Sequence, residues 1–422
     1  MTQALIEDLR WRGLINQASD LDALGARLDE GACVLYCGFD PTADSLHIGS
    51  LVPLLTLKRF QEAGHAPIAL VGGATGLIGD PSFKADERAL NEREVVEAWV
   101  ARLREQVSAF VDLEAGGRVA NNFEWTQGLD VISFLRDVGK HFSVNDMMRK
   151  EMVRERLANE EQGISFTEFS YMLLQALDFV ELARRHDCML QIGGSDQWGN
   201  ITAGMELTRR MLGRQVHAMT LPLVTKADGT KFGKTEAGTI WLDAARTSPY
   251  AFYQFWLNAA DADVGPFLRF FTFLSREEIE RLDARTAQAP QERSAQRALA
   301  ESVTRLVHGD VALASAQRIT EALFSGDIDA LDAGDFAQLA QDGLPTSPGG
   351  MDGLKVGQAL SALGLAKSNS AAMRLIKSGA VSINGETVAD ASADLSSFEP
   401  LDGGYRLIRR GKRNWGLLTA DA

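Results

Sequence analysis

The chain has 422 residues, 45% of them hydrophobic and 24% charged, and a net charge of -14. Those proportions describe a globular protein of two or three domains. The acidic balance excludes a globally basic nucleic-acid binder and leaves only a local basic patch for such a role.

The first stretch, MTQALIEDLRWRGLINQ, mixes acids and bases and has no apolar h-region, so no signal peptide is expected. No run of 18 apolar residues follows, so no membrane span is expected either. Over roughly the first 225 residues, short β-rich runs alternate with longer helical patterns. Strands are predicted at Val34–Phe39, Ile68–Gly72, Arg118–Asn121, Met189–Ile192 and Met219–Leu221. Helices are predicted at roughly His47–Ala63, Glu92–Leu113, Val131–Val138, Thr167–Arg185 and Gln197–Leu212. This alternation predicts an α/β fold with a doubly wound parallel sheet, which binds ligands at the carboxyl ends of its strands.

Next comes TKADGTKFGKTEAGT, Thr225–Thr239, rich in Gly, Thr and Lys and nearly devoid of apolar residues. It reads as a mobile loop. From Ser248 to about residue 325 the pattern is helical only. DGLPTSPGGMDG, Asp342–Gly353, is built of turn formers and reads as a linker. From Lys355 onward nine basic residues face six acidic ones, so the last module is locally basic within an acidic chain. The predicted division is 1–224, a loop at 225–245, a helical domain at 246–341, a linker at 342–353 and a small domain at 354–422.

Three cysteines, Cys33, Cys37 and Cys188, cannot build a disulfide framework, and no CxxC occurs. No histidine pair stands near them at metal-ligand spacing, so no protein metal site is expected. A reducing, cytoplasmic setting fits best.

Five segments carry chemistry. In CGFDPTADSLHIGS, Cys37–Ser50, a strand gives way to a helix. Asp44 or Ser45 is expected to cap that helix. His47 in its first turn can donate to a phosphate, and Gly49 leaves room for a flat nucleotide ring. An ordinary surface histidine beside a capped helix fits the stretch equally well. LVGGATGLIGDPS, Leu70–Ser82, lacks GxGxxG spacing and a GK[ST] ending, which argues against a dinucleotide fingerprint or a P-loop. Its Asp80 is either a ligand for an ammonium group or a turn residue before Pro81. FSYMLLQALDF, Phe169–Phe179, puts Tyr171, Gln175 and Asp178 at i, i+4 and i+7 on one helix face. A polar stripe among Met, Leu, Ala and Phe lines a pocket in preference to facing solvent. QIGGSDQWGN, Gln191–Asn200, places Asp196 where it meets a ribose hydroxyl or caps a helix. KFGKT sets Lys231 and Lys234 among small residues, as in a loop that closes over polyphosphate or in a solvated linker.

Together these segments resemble the class I aminoacyl-tRNA synthetases, in the form that bacterial-type tyrosyl-tRNA synthetases use. HIGS resembles the HIGH motif and KFGKT the KMSKS motif, with the other segments in the expected order. SNSAAMRLIKSGAVSINGETV resembles the S4-like RNA-binding module of the same enzymes. The resemblance implies a Rossmann-like catalytic domain, an α-helical domain and a small α+β S4-like RNA-binding domain. It implies activation of L-tyrosine by ATP, with Mg2+ as counterion, then transfer of the tyrosyl group to tRNA(Tyr), by a homodimer.

Residue roles follow from the same resemblance. Thr42 and His47 would hold the departing pyrophosphate, joined by the mobile cations Lys84, Arg88, Lys231 and Lys234. Cys37, Gly38, Gly49, Ser50, Gly194 and Asp196 would meet the ribose and adenylate, with Leu223 and Val224 as the adenine wall. Tyr36 and Asp178 would bind the phenol. Asp80, Tyr171 and Gln175 would clamp the α-ammonium, and Asp40, Gln191 and Gln197 would complete the pocket. Arg374, Lys377, Arg409, Arg410, Lys412 and Arg413 would grip tRNA phosphates. Ser50 departs from the family motif, which ends in histidine. The nearest rivals are a tryptophanyl-tRNA synthetase, a free adenylyltransferase and a non-catalytic RNA-binding paralogue.

Overall fold

The structure is a computed structural model, and it describes residues 2–80, 91–158, 163–230, 232–235, 238–348, 354–390 and 392–419. It forms two compact units: Met1–Leu242 with Gly265–Leu274, and Asp243–Val264 with Ser275–Ala422.

The first unit is built on a six-stranded sheet. Its strands are β1 (Gln17–Ala18), β2 (Val34–Phe39), β3 (Ala66–Val71), β4 (Arg118–Asn121), β5 (Cys188–Gly194) and β6 (His217–Leu221). Their order is β1-β6-β5-β2-β3-β4, with β2 to β6 parallel and β1 antiparallel at the edge. β2 and β4 match their predicted bounds, whereas β3, β5 and β6 begin earlier and β5 runs on to Gly194. β1 escaped prediction because two residues cannot show a period of two. β2, β3, β5 and β6 are mostly apolar and buried, as strands covered on both faces must be, whereas the outer strand β4 has no buried residue.

After β2 the chain steps to β3 on one side, while β5 pairs on the other side. The strand order therefore reverses between β2 and β5, and their diverging connections open a crevice at the carboxyl ends. Tyr36 of β2 stands in register with Gln191 of β5 there. Helices Leu51–Glu62, Arg93–Ser108, Phe166–His186 and Trp198–Leu212 connect the strands. The Phe166–His186 helix is capped by Ser165, which accepts from Glu168 N–H, and stops where Asp187 turns left-handed at φ 53°. Two helix expectations shift. The segment from His47 opens as a 3-10 turn at Ile48–Ser50, and Val131–Val138 divides into an α turn and a π turn.

The second unit joins helices to a sheet. After the short hairpin of the first unit, β7 (Lys234–Thr235) and β8 (Gly238–Thr239), come β9 (Thr346–Pro348), β10 (Val381–Ile383), β11 (Glu386–Thr387), β12 (Arg406–Arg410) and β13 (Asn414–Thr419). The last five form a sheet in the order β11-β10-β12-β13-β9. The segment read as a linker therefore contributes a strand: Thr346–Pro348 pairs in parallel with Leu417–Thr419. One core of this unit packs Leu407, Trp415 and Leu417 of the sheet with Tyr250, Ile319 and Phe336 of the helices. A second packs Ile383, Ile408 and Leu418 with Val356, Leu360 and Ile376. The Trp415 indole N–H also donates to the Leu323 carbonyl at 3.1 Å.

Candidate active site

A cleft of about 730 Å³ opens at the carboxyl ends of β2 and β5. Its lining includes Tyr36, Cys37, Gly38, Asp40, Thr42, His47, Gly49, Ser50, Asp80, Tyr171, Gln175, Asp178, Gln191, Gly194, Asp196, Gln197, Leu223 and Val224, all predicted site residues. Lys84, Arg88 and Lys231 lie outside the described residues, and Lys234 is described only as the start of β7. The polar stripe on the Phe166–His186 helix thus faces a pocket.

Asp178 lies deepest in polar connections. Its carboxylate accepts from the Trp125 indole N–H at 2.9 Å and from the Asn122 amide at 3.1 Å. Burial pushes its carboxyl up to about 7, against the pull of those two hydrogen bonds. Neither donor was predicted. Both follow β4 in the stretch NNFEW, at the same edge of the sheet as the other site segments, and that placement is the signal that points to them.

Asn122 also donates to Thr75 Oγ1 at 3.0 Å, and Thr75 donates to Asp40 at 2.6 Å. The other oxygen of Asp40 takes the Tyr171 hydroxyl at 2.6 Å. The Tyr171 proton is therefore committed to Asp40, and its oxygen faces the cleft as an acceptor. On the second branch, Gln197 donates to Asp80 at 2.8 Å and accepts from Gln175 at 3.3 Å. Burial raises the carboxyl of Asp196 above its ordinary value, and the charge of Asp80 adds to that.

Three buried polar atoms on this lining have no hydrogen-bond partner: Tyr36 Oη, Gln175 Oε1 and Gln191 Oε1. An unpaired buried polar group costs about 1–3 kcal/mol, so these atoms mark where a polar ligand completes the site. Among the described lining residues, four carboxylates and no lysine or arginine face the cleft. Such a lining suits a ligand with a cationic group. Among the described residues no group of three or more His, Cys, Asp or Glu side chains is placed to hold a metal ion.

HIGS departs from its expected cap. His47 itself caps the Ile48–Ser50 turn, its Nδ1 accepting from Gly49 N–H at 3.0 Å. Asp44 instead pairs with Arg102 at 3.3 Å, and Ser45 accepts from Gln106 at 3.2 Å. With Nδ1 an acceptor, the neutral ring carries its proton on Nε2. Gly49 has a second reason to be glycine: a Cβ there would meet His47 Cε1 at 2.7 Å. Gly72 likewise clears space for protein groups, since its Cβ would lie 2.0 Å from Asp40 Oδ1. Gly38 differs, because a Cβ on it would meet no protein atom within 4 Å and would project into the cleft.

HIGS and KFGKT are stitched together through one residue. Ile240 N–H donates to Gly233 O and Ile48 N–H donates to Ile240 O, each at 3.1 Å. The predicted RNA contacts lie in the second unit. Arg374, Lys377, Lys412 and Arg413 are exposed. Arg409 packs over the Trp415 ring at 4.7 Å and Arg410 donates to Leu365 O at 2.7 Å, so both are partly committed within the fold.

A parallel sheet with its ligand crevice at the order reversal and HIGS at that crevice make up a class I nucleotide-activating fold. The model of class I tRNA synthetases for tryptophan and tyrosine matches residues 28–325, and that of the SYY-like C-terminal domain of tyrosine–tRNA ligases matches residues 335–418. The chain is 58% identical to a tyrosine–tRNA ligase of Chromobacterium violaceum, covering 99% of each chain. It is equally 58% identical to that of Aliivibrio salmonicida, over 99% of this chain and 98% of the relative. A C-terminally truncated mitochondrial tyrosyl-tRNA synthetase of Aspergillus nidulans superposes with a TM-score of 0.68 at 30% identity, over 76% of this chain and 94% of that one. The chain belongs to the class I aminoacyl-tRNA synthetase family of the tryptophan and tyrosine type.

Proposed function

We propose that the chain is a tyrosine–tRNA ligase, forming tyrosyl-adenylate from L-tyrosine and ATP and passing the tyrosyl group to the 3'-terminal adenosine of tRNA(Tyr). The observation that carries the choice of amino acid is the buried Tyr36 hydroxyl without a partner, in one pocket with Asp178. A phenol both donates and accepts, so it can give its proton to Asp178 and take that of Tyr36. An indole N–H only donates and would leave Tyr36 unpaired, which disfavours the tryptophan reading.

At the other end, Asp80, Gln175 and the acceptor oxygen of Tyr171 suit an α-ammonium. The amino-acid carboxylate then attacks the α-phosphorus: a carboxyl O–P bond forms, the bond to the β-phosphate oxygen breaks and pyrophosphate leaves. The attacking group is already ionised, so no general base is required, and the residues act by position and by donors aimed at phosphate charge. His47 Nε2 and the Thr42 hydroxyl supply such donors. Lys84, Arg88, Lys231 and Lys234 are assigned the cationic part, and Mg2+ enters with ATP on its phosphates. In the second step a terminal ribose hydroxyl of the tRNA attacks the tyrosyl carbonyl and AMP leaves.

ATP–pyrophosphate exchange measured across the twenty amino acids tests this, with exchange expected for tyrosine. Exchange for tryptophan but not tyrosine would overturn it. Gly49→Ala supplies a narrower check. Its methyl displaces the His47 ring, and loss of one transition-state donor costs roughly 100-fold in rate. Exchange is expected to fall by about that much while tyrosine affinity, measured by equilibrium titration, stays unchanged.

The C-terminal module, read as S4-like, binds the tRNA through its basic residues, and a cytoplasmic setting fits three unpaired cysteines. No helix among the described residues is long and apolar enough to cross a membrane. The homodimer reading is supported by exposed apolar side chains in the first unit, five of them between positions 131 and 148 of the chain. Val131 and Ile132 are 70% exposed and Phe166 77%, with Leu135, Val144 and Met148 exposed as well. Ile132→Glu is expected to convert a dimer to a monomer in sedimentation at micromolar concentration. A monomeric unmodified chain would refute the assignment.

A further inference from the structure

We propose that Phe232 is a positioning residue for adenylate formation, its ring seated on Phe267 and Phe271 so as to set where the chain at Phe232 and Gly233, between the two lysines of KFGKT, stands beside HIGS. The proposal rests on the reading of that cleft as the adenylate-forming site.

Sequence and geometry point the same way. Phe232 is the one large apolar side chain between Thr225 and Thr239. A segment of Gly, Thr, Lys and Asp buries almost nothing by itself, so this ring gives it its only strong preference for one place. The ring stacks on Phe271 at 5.2 Å between centroids and 17° between planes, and meets Phe267 edge-on at 5.1 Å and 63°. Both geometries are favourable for aromatic pairs.

The platform is itself held. Phe267 and Phe271 are buried on the helix Asp261–Phe271. The end of that helix is gripped by two buried arginines. Arg12 donates to the carbonyls of Arg269 and Thr272 at 3.2 Å each and of Leu274 at 2.8 Å. Arg59 donates to Thr272 O as well, and its guanidinium stacks over the Phe273 ring at 4.4 Å. Cations at carbonyls left over by a helix end satisfy acceptors that nothing else reaches.

The residue after Phe232 fixes the other side. Gly233 takes φ 82°, and its carbonyl accepts from Ile240, the residue that also binds Ile48 of HIGS. A Cβ on Gly233 would lie 3.1 Å from Ile48 Cγ1. Phe232 is thus the link between a rigid aromatic platform and the phosphate-facing turn, and it lines the cleft. Its ring carries no donor, acceptor or charge for the chemistry, so its part is to hold the segment.

The test is a kinetic split with rescue. Phe232→Ala is expected to lower kcat for tyrosine-dependent pyrophosphate exchange by about 10- to 100-fold. KM for tyrosine, set at the Tyr36 and Asp178 end, should stay within about twofold of the unmodified value. Phe232→Leu, which still fills the seat, should recover most of kcat. In a Phe271→Leu background Phe232→Ala should cost less than it does alone, because the seat is already damaged. An unchanged or raised kcat in Phe232→Ala overturns the proposal, as does a loss that Phe232→Leu fails to restore. Absence of tyrosine-dependent exchange in the unmodified chain would overturn the reading of the cleft instead. Thermal unfolding of each variant by circular dichroism shows whether a loss comes from the fold, and a Phe232→Ala loss explained by unfolding also overturns the proposal.

Discussion

Asp178→Ala is expected to cut kcat/KM for tyrosine by about 10- to 100-fold while leaving phenylalanine nearly unaffected, so that preference for the phenol collapses. A hydrogen bond to a charged group contributes about 1.5–3 kcal/mol, and each 1.4 kcal/mol is a factor of ten. Phenylalanine never makes that bond and has nothing to lose. The substitution has a second cost. It leaves the Trp125 indole N–H without an acceptor and the Asn122 amide with only its bond to Thr75, so two buried N–H donors lose their partner. Each orphaned donor costs about 1–3 kcal/mol, so the melting temperature should fall by several degrees. Asp178→Asn keeps one acceptor for Trp125 and should recover stability more than specificity. Exchange rates for the two amino acids, measured side by side, decide the matter, and an unchanged ratio would remove Asp178 from the specificity role.

The same carboxyl makes the binding depend on pH. Burial pushes its value up to about 7, above the ordinary carboxylate range. The folded protein therefore binds this proton more tightly than the unfolded chain does. The linked stability is present at low pH and lost as the pH rises through about 7. Tyrosine reverses the preference, because its phenol donates to the ionised form. Affinity for tyrosine should thus weaken as the pH falls below about 7, approaching tenfold per pH unit. Calorimetric titration at pH 6 and pH 8 reads this directly. Equal affinities would mean that the carboxyl is already ionised throughout that range.

How much was legible in advance depends on how far apart the cooperating residues lie in the chain. The Tyr171, Gln175 and Asp178 stripe is written in eight consecutive positions of one helix, and helical periodicity alone brings it to one face. The paired glycines just after β3 and at the close of β5 stand at strand ends, where a parallel sheet presents its ligands. Trp125 and Asn122 reach Asp178 across more than fifty residues, and no local pattern marks that pairing. Gly49 offers a subtler case. Its smallness was visible, but the reason for it depends on where the His47 ring turns, and that follows from a cap the sequence assigned to Asp44 or Ser45. β9 hides inside Pro- and Gly-rich residues because a parallel edge strand of three residues needs only its partner at Leu417–Thr419. Nothing local in the sequence marks Arg12 or Arg59. Only the fold brings them to the carbonyls that end the Asp261–Phe271 helix.

The C-terminal sheet bears on the tRNA step in a way that simple truncation would obscure. Removing residues 350–422 is expected to abolish charging of tRNA(Tyr), and it also strips Leu407, Trp415 and Leu417 from Tyr250, Ile319 and Phe336. The truncated chain should therefore melt earlier even where its cleft still forms adenylate. Charge removal separates the two effects. Arg374 and Lys377 lie three residues apart on one helix, and Lys412 and Arg413 lie in the turn between β12 and β13. All four are exposed, so alanine at each removes charge without opening the core. Each phosphate contact contributes roughly 0.7–0.9 to the slope of log affinity against log salt. The fourfold variant should lose up to about three of that slope, raise KM for tRNA at least tenfold at low salt and converge on the unmodified enzyme at high salt. Pyrophosphate exchange, which needs no RNA, should keep its rate. Charging with an unaltered salt slope would show that the tRNA is held elsewhere.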